Sequence, residues 1–261
     1  MAEVVVVESP RAAGEIVAAS IRTLIERRSD AVLGLATGST PLGVYSALAE
    51  SVARDPLDLS QVSGFSLDEY VGLERGHPES YRAVIARDVT EPLGLNPLQV
   101  HVPNGDREGL ATAGDDYERA IRAAGGIDLQ ILGIGRTGHI GFNEPGSSLA
   151  SLTRVKTLAP ETRADNARFF ASPDLVPMHC ITQGLGTILR ARHLVLLAFG
   201  EGKAAAIAAA VEGPLSASQP GSAIQLHGHV TVIVDRAAAA GLHNLPYYEY
   251  AWANKPDWQG I

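Results

Sequence analysis

Short apolar runs alternate with amphipathic stretches along most of the chain. Val4 to Val7, Ala31 to Ala36, Phe65 to Leu67, Leu98 to Val102, Ile127 to Ile134, His193 to Phe199 and Val230 to Val234 read as buried strands of a parallel sheet. Thr153 to Leu158 is a further candidate. Helical patterns lie between them. One opens at Ser9-Pro10, a cap followed by a first-turn proline, and runs to about Arg28. Others cover Leu42 to Ala53 behind Pro41, Pro78-Glu79-Ser80 to about Val89, Gly109 to Ala124, Thr182 to Arg190, and the alanine-rich Glu201 to Val211. The tail from Gly241 reads as irregular and carries Tyr247, Tyr248, Tyr250, Trp252 and Trp258. Alternation of strand and helix predicts an α/β fold: a mostly parallel, doubly wound, Rossmann-like sheet with helices on both faces. No linker, repeat or low-complexity segment interrupts it, so residues 1–261 are expected to form a single domain.

Composition narrows the function classes. A chain of 261 residues that is 46% hydrophobic can bury a sizeable core. A net charge of -8 without any basic run argues against a nucleic-acid surface. The single cysteine, Cys180, cannot form an internal disulfide, fits a reducing compartment and reads as a small buried hydrophobe. The N-terminus lacks the basic and apolar regions of a signal peptide, and no stretch suits a bilayer. A cytoplasmic protein without a membrane partner is expected.

Four places could carry chemistry. The run ending at Ile134 breaks into Gly133, Gly135, Gly138 and Gly141, which delivers Thr137, His139, Asn143 and Glu144 to the carboxyl edge of the sheet. A histidine can move protons near neutrality, and a carboxylate bonded to His139 would hold its tautomer. The bland alternative is a satisfied structural histidine. Gly133 to Gly138 also matches a dinucleotide fingerprint, but Asn143-Glu144-Pro145-Gly146 interrupts the required helix and no acid follows at the required spacing. The second place is Thr37-Gly38-Ser39-Thr40-Pro41, a hydroxyl-rich loop opening a helix, which suits an anion or is simply a capped start. The third is Lys203 in a helix's first turn, where a cation opposes the dipole unless Glu201 or a bound phosphate offsets it; Arg168 is either a second clamp or a solvated side chain. The fourth is Asp68-Glu69 at a strand end. In extended backbone only one of the two carboxylates should face a pocket as a general base; otherwise the pair marks a surface turn. No His or Cys cluster completes a metal site.

Together these segments resemble the glucosamine-6-phosphate deaminases of the glucosamine/galactosamine-6-phosphate isomerase family. The matching pieces are 33–41 (LGLATGSTP), 66–73 (SLDEYVGL), 77–81 (HPESY), 138–145 (GHIGFNEP) with 147–150 (SSLA), 168–170 (RFF), 210–213 (AVEG) and 226–227 (LH), in one order over nearly the whole chain. The resemblance implies conversion of D-glucosamine 6-phosphate and water to D-fructose 6-phosphate and ammonium, without metal or organic cofactor. It makes Asp68 the base at C2 and His139 with Glu144 the ring-opening groups. It seats the phosphate on Thr37, Gly38, Ser39, Thr40, Arg168 and Lys203. At the position two before the histidine the family pattern has an Asp relay, and this chain has Thr137. A hydroxyl can orient the imidazole but cannot stabilise its cation, which makes Glu144 the expected main partner of His139. The resemblance further implies a homo-oligomer and an N-acetylglucosamine 6-phosphate effector at Ser147, Arg154, Lys156 and Tyr247, although Leu152 stands where a basic residue is expected. The alternatives are a 6-phosphogluconolactonase-type hydrolase, disfavoured by Asp68-Glu69-Tyr70 and the intact Phe142-Asn143-Glu144-Pro145, and a non-catalytic sugar-phosphate sensor, disfavoured by the absence of a basic DNA-binding segment.

Overall fold

Two sheets frame the protein. In chain order β1 (Glu3–Val7) leads into α1 (Pro10–Arg27), where the Ser9 side chain accepts from the Ala12 N–H. β2 (Val32–Leu35), α2 (Leu42–Arg54), β3 (Ser63–Ser66) and β4 (Asp68–Tyr70) follow. α3 (Tyr81–Ile85), capped by Ser80, passes through one π turn into α4 (Glu91–Leu93). Next come β5 (Val100–His101), α5 (Leu110–Ala123), β6 (Leu129–Gly133), β7 (Arg154–Thr157), α6 (Pro160–Asn166) and β8 (His179–Thr182). The chain ends with α7 (Leu185–Ile188), β9 (His193–Ala198), α8 (Ala204–Val211), β10 (Val230–Asp235) and α9 (Leu245–Ala253). The computed structural model describes residues 3–74, 76–256 and 258–261; Met1 and Ala2, part of the N-terminus read above for a signal peptide, lie outside the described residues.

The seven-stranded sheet has the order β1-β10-β9-β6-β2-β3-β5 and is parallel throughout. Its inner strands are apolar on both faces, as helices packed around the sheet require. From β2 the chain works outward through β3 to β5, then returns to place β6 on the other side of β2. The loops after β2 and β6 therefore leave the sheet at its topological switch point, the place where open α/β sheets bind their ligands. Among the described residues no helix is long and apolar enough to cross a membrane.

Several elements differ from their sequence-based expectation. Asp68-Glu69-Tyr70 does not trail from the parallel sheet; it is a strand of a second, antiparallel sheet, β4-β8-β7. Leu67 is the joint, donating its N–H to Leu35 O of β2 while its carbonyl accepts from Gln183 N–H beyond β8. Thr153 to Leu158 does form a strand, but in this second sheet. Thr182, expected to begin a helix, ends β8, because it pairs with Asp68 and with Arg154; the helix is confined to Leu185–Ile188. β5 keeps only two residues, since Asn96 and Pro97 curl residues 97–99 into a turn that leaves Leu98 exposed. The tail from Gly241 is not irregular. Glu212 accepts from the His243 and Asn244 N–H groups and from the Tyr248 hydroxyl, and α9 forms from there against β1. α6 and β8 are short and carry no long apolar pattern that would mark them in the sequence.

Helices α1 and α2 cross at glycine. A Cβ on Gly14 would stand 2.3 Å from the Gly43 carbonyl oxygen, so neither backbone can yield without opening the pair. Gly14→Ala is expected to destabilise the fold by about 1–3 kcal/mol through overpacking; urea denaturation monitored by circular dichroism reads the change.

Candidate functional site

The loop after β6 folds back on itself. Gly135 N–H donates to His139 O at 2.9 Å, and the imidazole lies flat on Gly135, where a Cβ would be 2.1 Å from the ring. Gly138 takes a left-handed φ of 77°, and its carbonyl accepts from Gly221 N–H at 2.7 Å. These close approaches explain Gly135 and Gly138 and hold His139 half-buried.

His139 Nδ1 lies 2.9 Å from the Thr137 hydroxyl and 3.5 Å from Glu144 Oε2. The shorter contact is thus Thr137's, while Glu144 supplies the charge. Glu144 is itself fixed: its Oε1 accepts from the Thr162 hydroxyl at 2.5 Å and the Ala159 N–H at 3.2 Å. Burial works to raise the Glu144 pKa, but the neighbouring His139 imidazole, the Thr162 hydroxyl and the Ala159 N–H outweigh it and keep the carboxyl below its usual range.

Asp68 comes to this loop from the other sheet. Its Oδ2 would lie 3.6 Å from a Cβ on Gly141, so the carboxyl sits against the backbone between His139 and Glu144. Burial pushes its pKa up to about 8, and the Glu69 carboxylate adds to the rise; the Phe142 N–H and Thr182 hydroxyl offset part of it. Glu69 points away, as strand alternation requires. It accepts from the N–H groups of Tyr70, Tyr81 and Arg82.

The basic candidates gather on the far side of the same loop. Lys203 caps α8 and its Nζ donates to Ile134 O at 2.7 Å. Burial lowers the Lys203 pKa, with Asp165 opposing and Arg136 and Arg168 adding to the fall, so three cations and one acid share this corner. Arg136 pairs with Asp165, and Arg168 remains exposed over the Phe169 ring. In the loop after β2, Gly38 has a φ of 92° and is open to solvent, while the Thr37 side chain meets the Tyr81 hydroxyl. Tyr81 also reaches the Tyr70 hydroxyl at 3.4 Å, in a cluster with Phe142 and Phe170.

Sequence reasoning gave no role to Tyr81, Arg136, Thr162 or Asn166, which donates to the Tyr70 hydroxyl at 2.9 Å. The cues were faint: a Ser80 cap before Tyr81, and Pro160 opening a short helix that carries both Thr162 and Asn166. Ser147 is buried beside this loop with its hydroxyl unpaired, and Arg154 Nη1 donates to Asn143 Oδ1 at 2.7 Å. Lys156 stands two residues further along β7. Tyr247 is elsewhere, exposed on α9, and among the described residues shares no hydrogen bond or ring contact with the other three. The described residues also contain no group of three or more His, Cys, Asp or Glu able to hold a metal ion.

The family model for glucosamine-6-phosphate isomerases/6-phosphogluconolactonase matches residues 7–233. A glucosamine-6-phosphate deaminase of Bifidobacterium longum subsp. infantis is 60% identical over 270 residues, covering 100% of both chains. Among solved structures, a monomeric glucosamine-6-phosphate deaminase superposes with a TM-score of 0.89 at 39% identity, covering 92% of this chain and 99% of that one. A 6-phosphogluconolactonase from Trypanosoma cruzi reaches 0.74 at 20% identity over 93% and 97%, a likeness of fold alone.

Because the Asp68 pKa is raised above that of an unfolded aspartate, its contribution to stability is complete at acid pH and is lost as pH rises toward about 8. Asp68→Asn removes that dependence. Its melting temperature is expected to exceed wild type at pH 8, the gap closing toward pH 4, the ordinary carboxylate range; scanning calorimetry across that range reads the crossover.

Proposed function

This chain belongs to the glucosamine-6-phosphate isomerase/6-phosphogluconolactonase family, and we propose that within it the enzyme converts D-glucosamine 6-phosphate and water to D-fructose 6-phosphate and ammonium, a deaminating isomerisation of amino-sugar catabolism. The observation that carries the reading is the meeting of Asp68 with the His139–Glu144 loop at the switch point, with Lys203 bonded to the start of that loop at Ile134 O.

The chemistry follows from the groups. The imidazole of His139 accepts the C1 hydroxyl proton and returns a proton to the ring oxygen, opening the sugar. Glu144, held ionised, favours the imidazolium that forms between the two transfers, and Thr137 fixes the ring without adding charge. The open aldehyde acidifies C2. Asp68 removes the C2 proton and a proton is delivered to C1, giving an imine at C2. Water hydrolyses it, releasing ammonia and leaving the ketone of fructose 6-phosphate. Thr37, Gly38, Ser39, Thr40, Arg168 and Lys203 hold the phosphate, which takes no part in bond changes but anchors C1 and C2 against the acid and the imidazole. Lys203, partly desolvated and already bonded to Ile134 O, is the more fixed of the two cations.

Regulation and assembly belong to the same proposal. Ser147, Arg154 and Lys156 would form an N-acetylglucosamine 6-phosphate site linked through Arg154 and Asn143 to the His139 loop. Tyr247 of the same chain is not drawn to them, so its participation calls for a second copy of the chain and hence a homo-oligomer. One similar solved protein is monomeric, which makes light scattering with and without the effector the direct test. We take residues 1–261 as one domain acting in the cytoplasm.

Incubation with glucosamine 6-phosphate is expected to yield equimolar fructose 6-phosphate and ammonium, measured by coupled enzymatic assay. Asp68→Asn should abolish turnover while binding of a substrate analogue changes by less than about tenfold; a variant at wild-type rate removes Asp68 from the mechanism. Since the base must be ionised, kcat/KM is expected to rise with pH through a limb near the pKa of about 8 held by Asp68 in the free protein.

A further inference from the structure

We propose that Glu69 is a positioning residue: its carboxylate, bound to the N–H groups of Tyr81 and Arg82, holds Tyr81 as a strut between the Thr37 loop and the strand that carries Asp68. The proposal rests on the deaminase reading and adds to it a residue that would touch no substrate.

Glu69 is 6% exposed, and its two oxygens are spent on main-chain donors. Oε1 accepts from Tyr70 and Tyr81 N–H, each at 2.8 Å, and Oε2 accepts from Arg82 N–H at 2.9 Å. Ser80 satisfies the next donor, Ala83 N–H, so the turn that opens α3 is pinned by two side chains. A buried carboxylate is costly, and three N–H donors are what make it tolerable. The consequence lies at the other end of Tyr81. Its hydroxyl meets the Thr37 side chain and the Tyr70 hydroxyl, and its ring packs on Tyr70 and Phe142 at centroid distances of 4.8 and 6.0 Å. One side chain thus ties the anion loop of the parallel sheet to the antiparallel sheet bearing Asp68, and Glu69 sets where that side chain starts.

Glu69 has a second hold on the site, through charge. It is the neighbouring carboxylate that adds to the raised pKa of Asp68. The other titratable groups coupled to Asp68 are Tyr70, Tyr81, Tyr117 from α5 and Cys180 from β8; burial raises the pKa of every one, so they stay neutral at working pH. Burial raises the pKa of Glu69 itself, and the N–H groups of Tyr81, Arg82 and Tyr70, with the Arg82 charge from α3, oppose that rise. Removing the Glu69 charge therefore makes Asp68 a stronger acid, an effect that loss of structural support alone would not produce.

The test compares wild type, Glu69→Gln and Tyr81→Phe on glucosamine 6-phosphate. A glutamine keeps the size but sets an NH2 against N–H donors, so Glu69→Gln should raise KM about tenfold, the loss of one buried hydrogen bond, and move the acidic limb of kcat/KM to lower pH. Tyr81→Phe should raise KM similarly with that limb unmoved. An active wild type with KM and pH limb unchanged in Glu69→Gln overturns the proposal. If Glu69→Gln does not fold, Tyr81→Phe decides: a wild-type KM there removes the strut. A wild type that releases no ammonium instead refutes the deaminase reading on which the proposal stands.

Discussion

The peptide at Leu67 belongs to both sheets, and the site exists because of it. Its N–H continues the parallel ladder to β2, and its carbonyl takes the Gln183 N–H at the end of β8. Around it the Ser66 carbonyl accepts from the Tyr117 hydroxyl at 2.7 Å and from Gln183 Nε2 at 3.1 Å, so the crossing is braced by a helix and by the second sheet. A strand that simply ended there would leave those buried groups unpaired, each costing roughly 1–3 kcal/mol. With the crossing fixed, the next side chain, Asp68, is thrown against the loop from β6.

Burial then does chemical as well as structural duty. Asp68 and Glu144 are both carboxyls, 5% and 6% exposed, yet their environments drive them apart. Asp68 has desolvation and a like-charged neighbour, and its pKa rises; Glu144 has an imidazole, a hydroxyl and an N–H, and its pKa falls. Two carboxyls are thereby given distinct protonation behaviour within a single loop's reach. The three-cation corner around Lys203 sets the opposite potential at the loop's other end, so a net charge of -8 coexists with a local positive patch.

The glycines act as spacers for this arrangement. Gly135 lets the His139 ring lie on backbone, Gly138 admits Gln219 and the Gly221 N–H, and Gly141 leaves room for Thr182 and Asp68. Gly133, Gly135 and Gly138 have the spacing of a dinucleotide loop, but His139 and Gln219 take the space beside the second and third of them.

The sequence by itself determined the parallel sheet, most helix starts and the residue types of the site. Those features are local: apolar runs mark buried strands, and Ser9 or Ser80 satisfies donors within its own turn. The motifs also ordered Asp68, His139, Glu144 and Lys203 along the chain, and strand alternation separated Asp68 from Glu69. What only the tertiary structure decided is everything made of partners far apart in sequence. The antiparallel sheet joins Asp68 to Thr182, and neither strand's pattern names the other. Glu144 finds its hydroxyl partner in Thr162, and Glu118 of α5 finds Thr153 and Thr187. α9 forms where Glu212 accepts the N–H groups of His243 and Asn244, the two residues ahead of it, so a tail with no amphipathic signal becomes helical. Pairing of this kind depends on where the main chain returns, and a one-dimensional pattern records periodicity but not return.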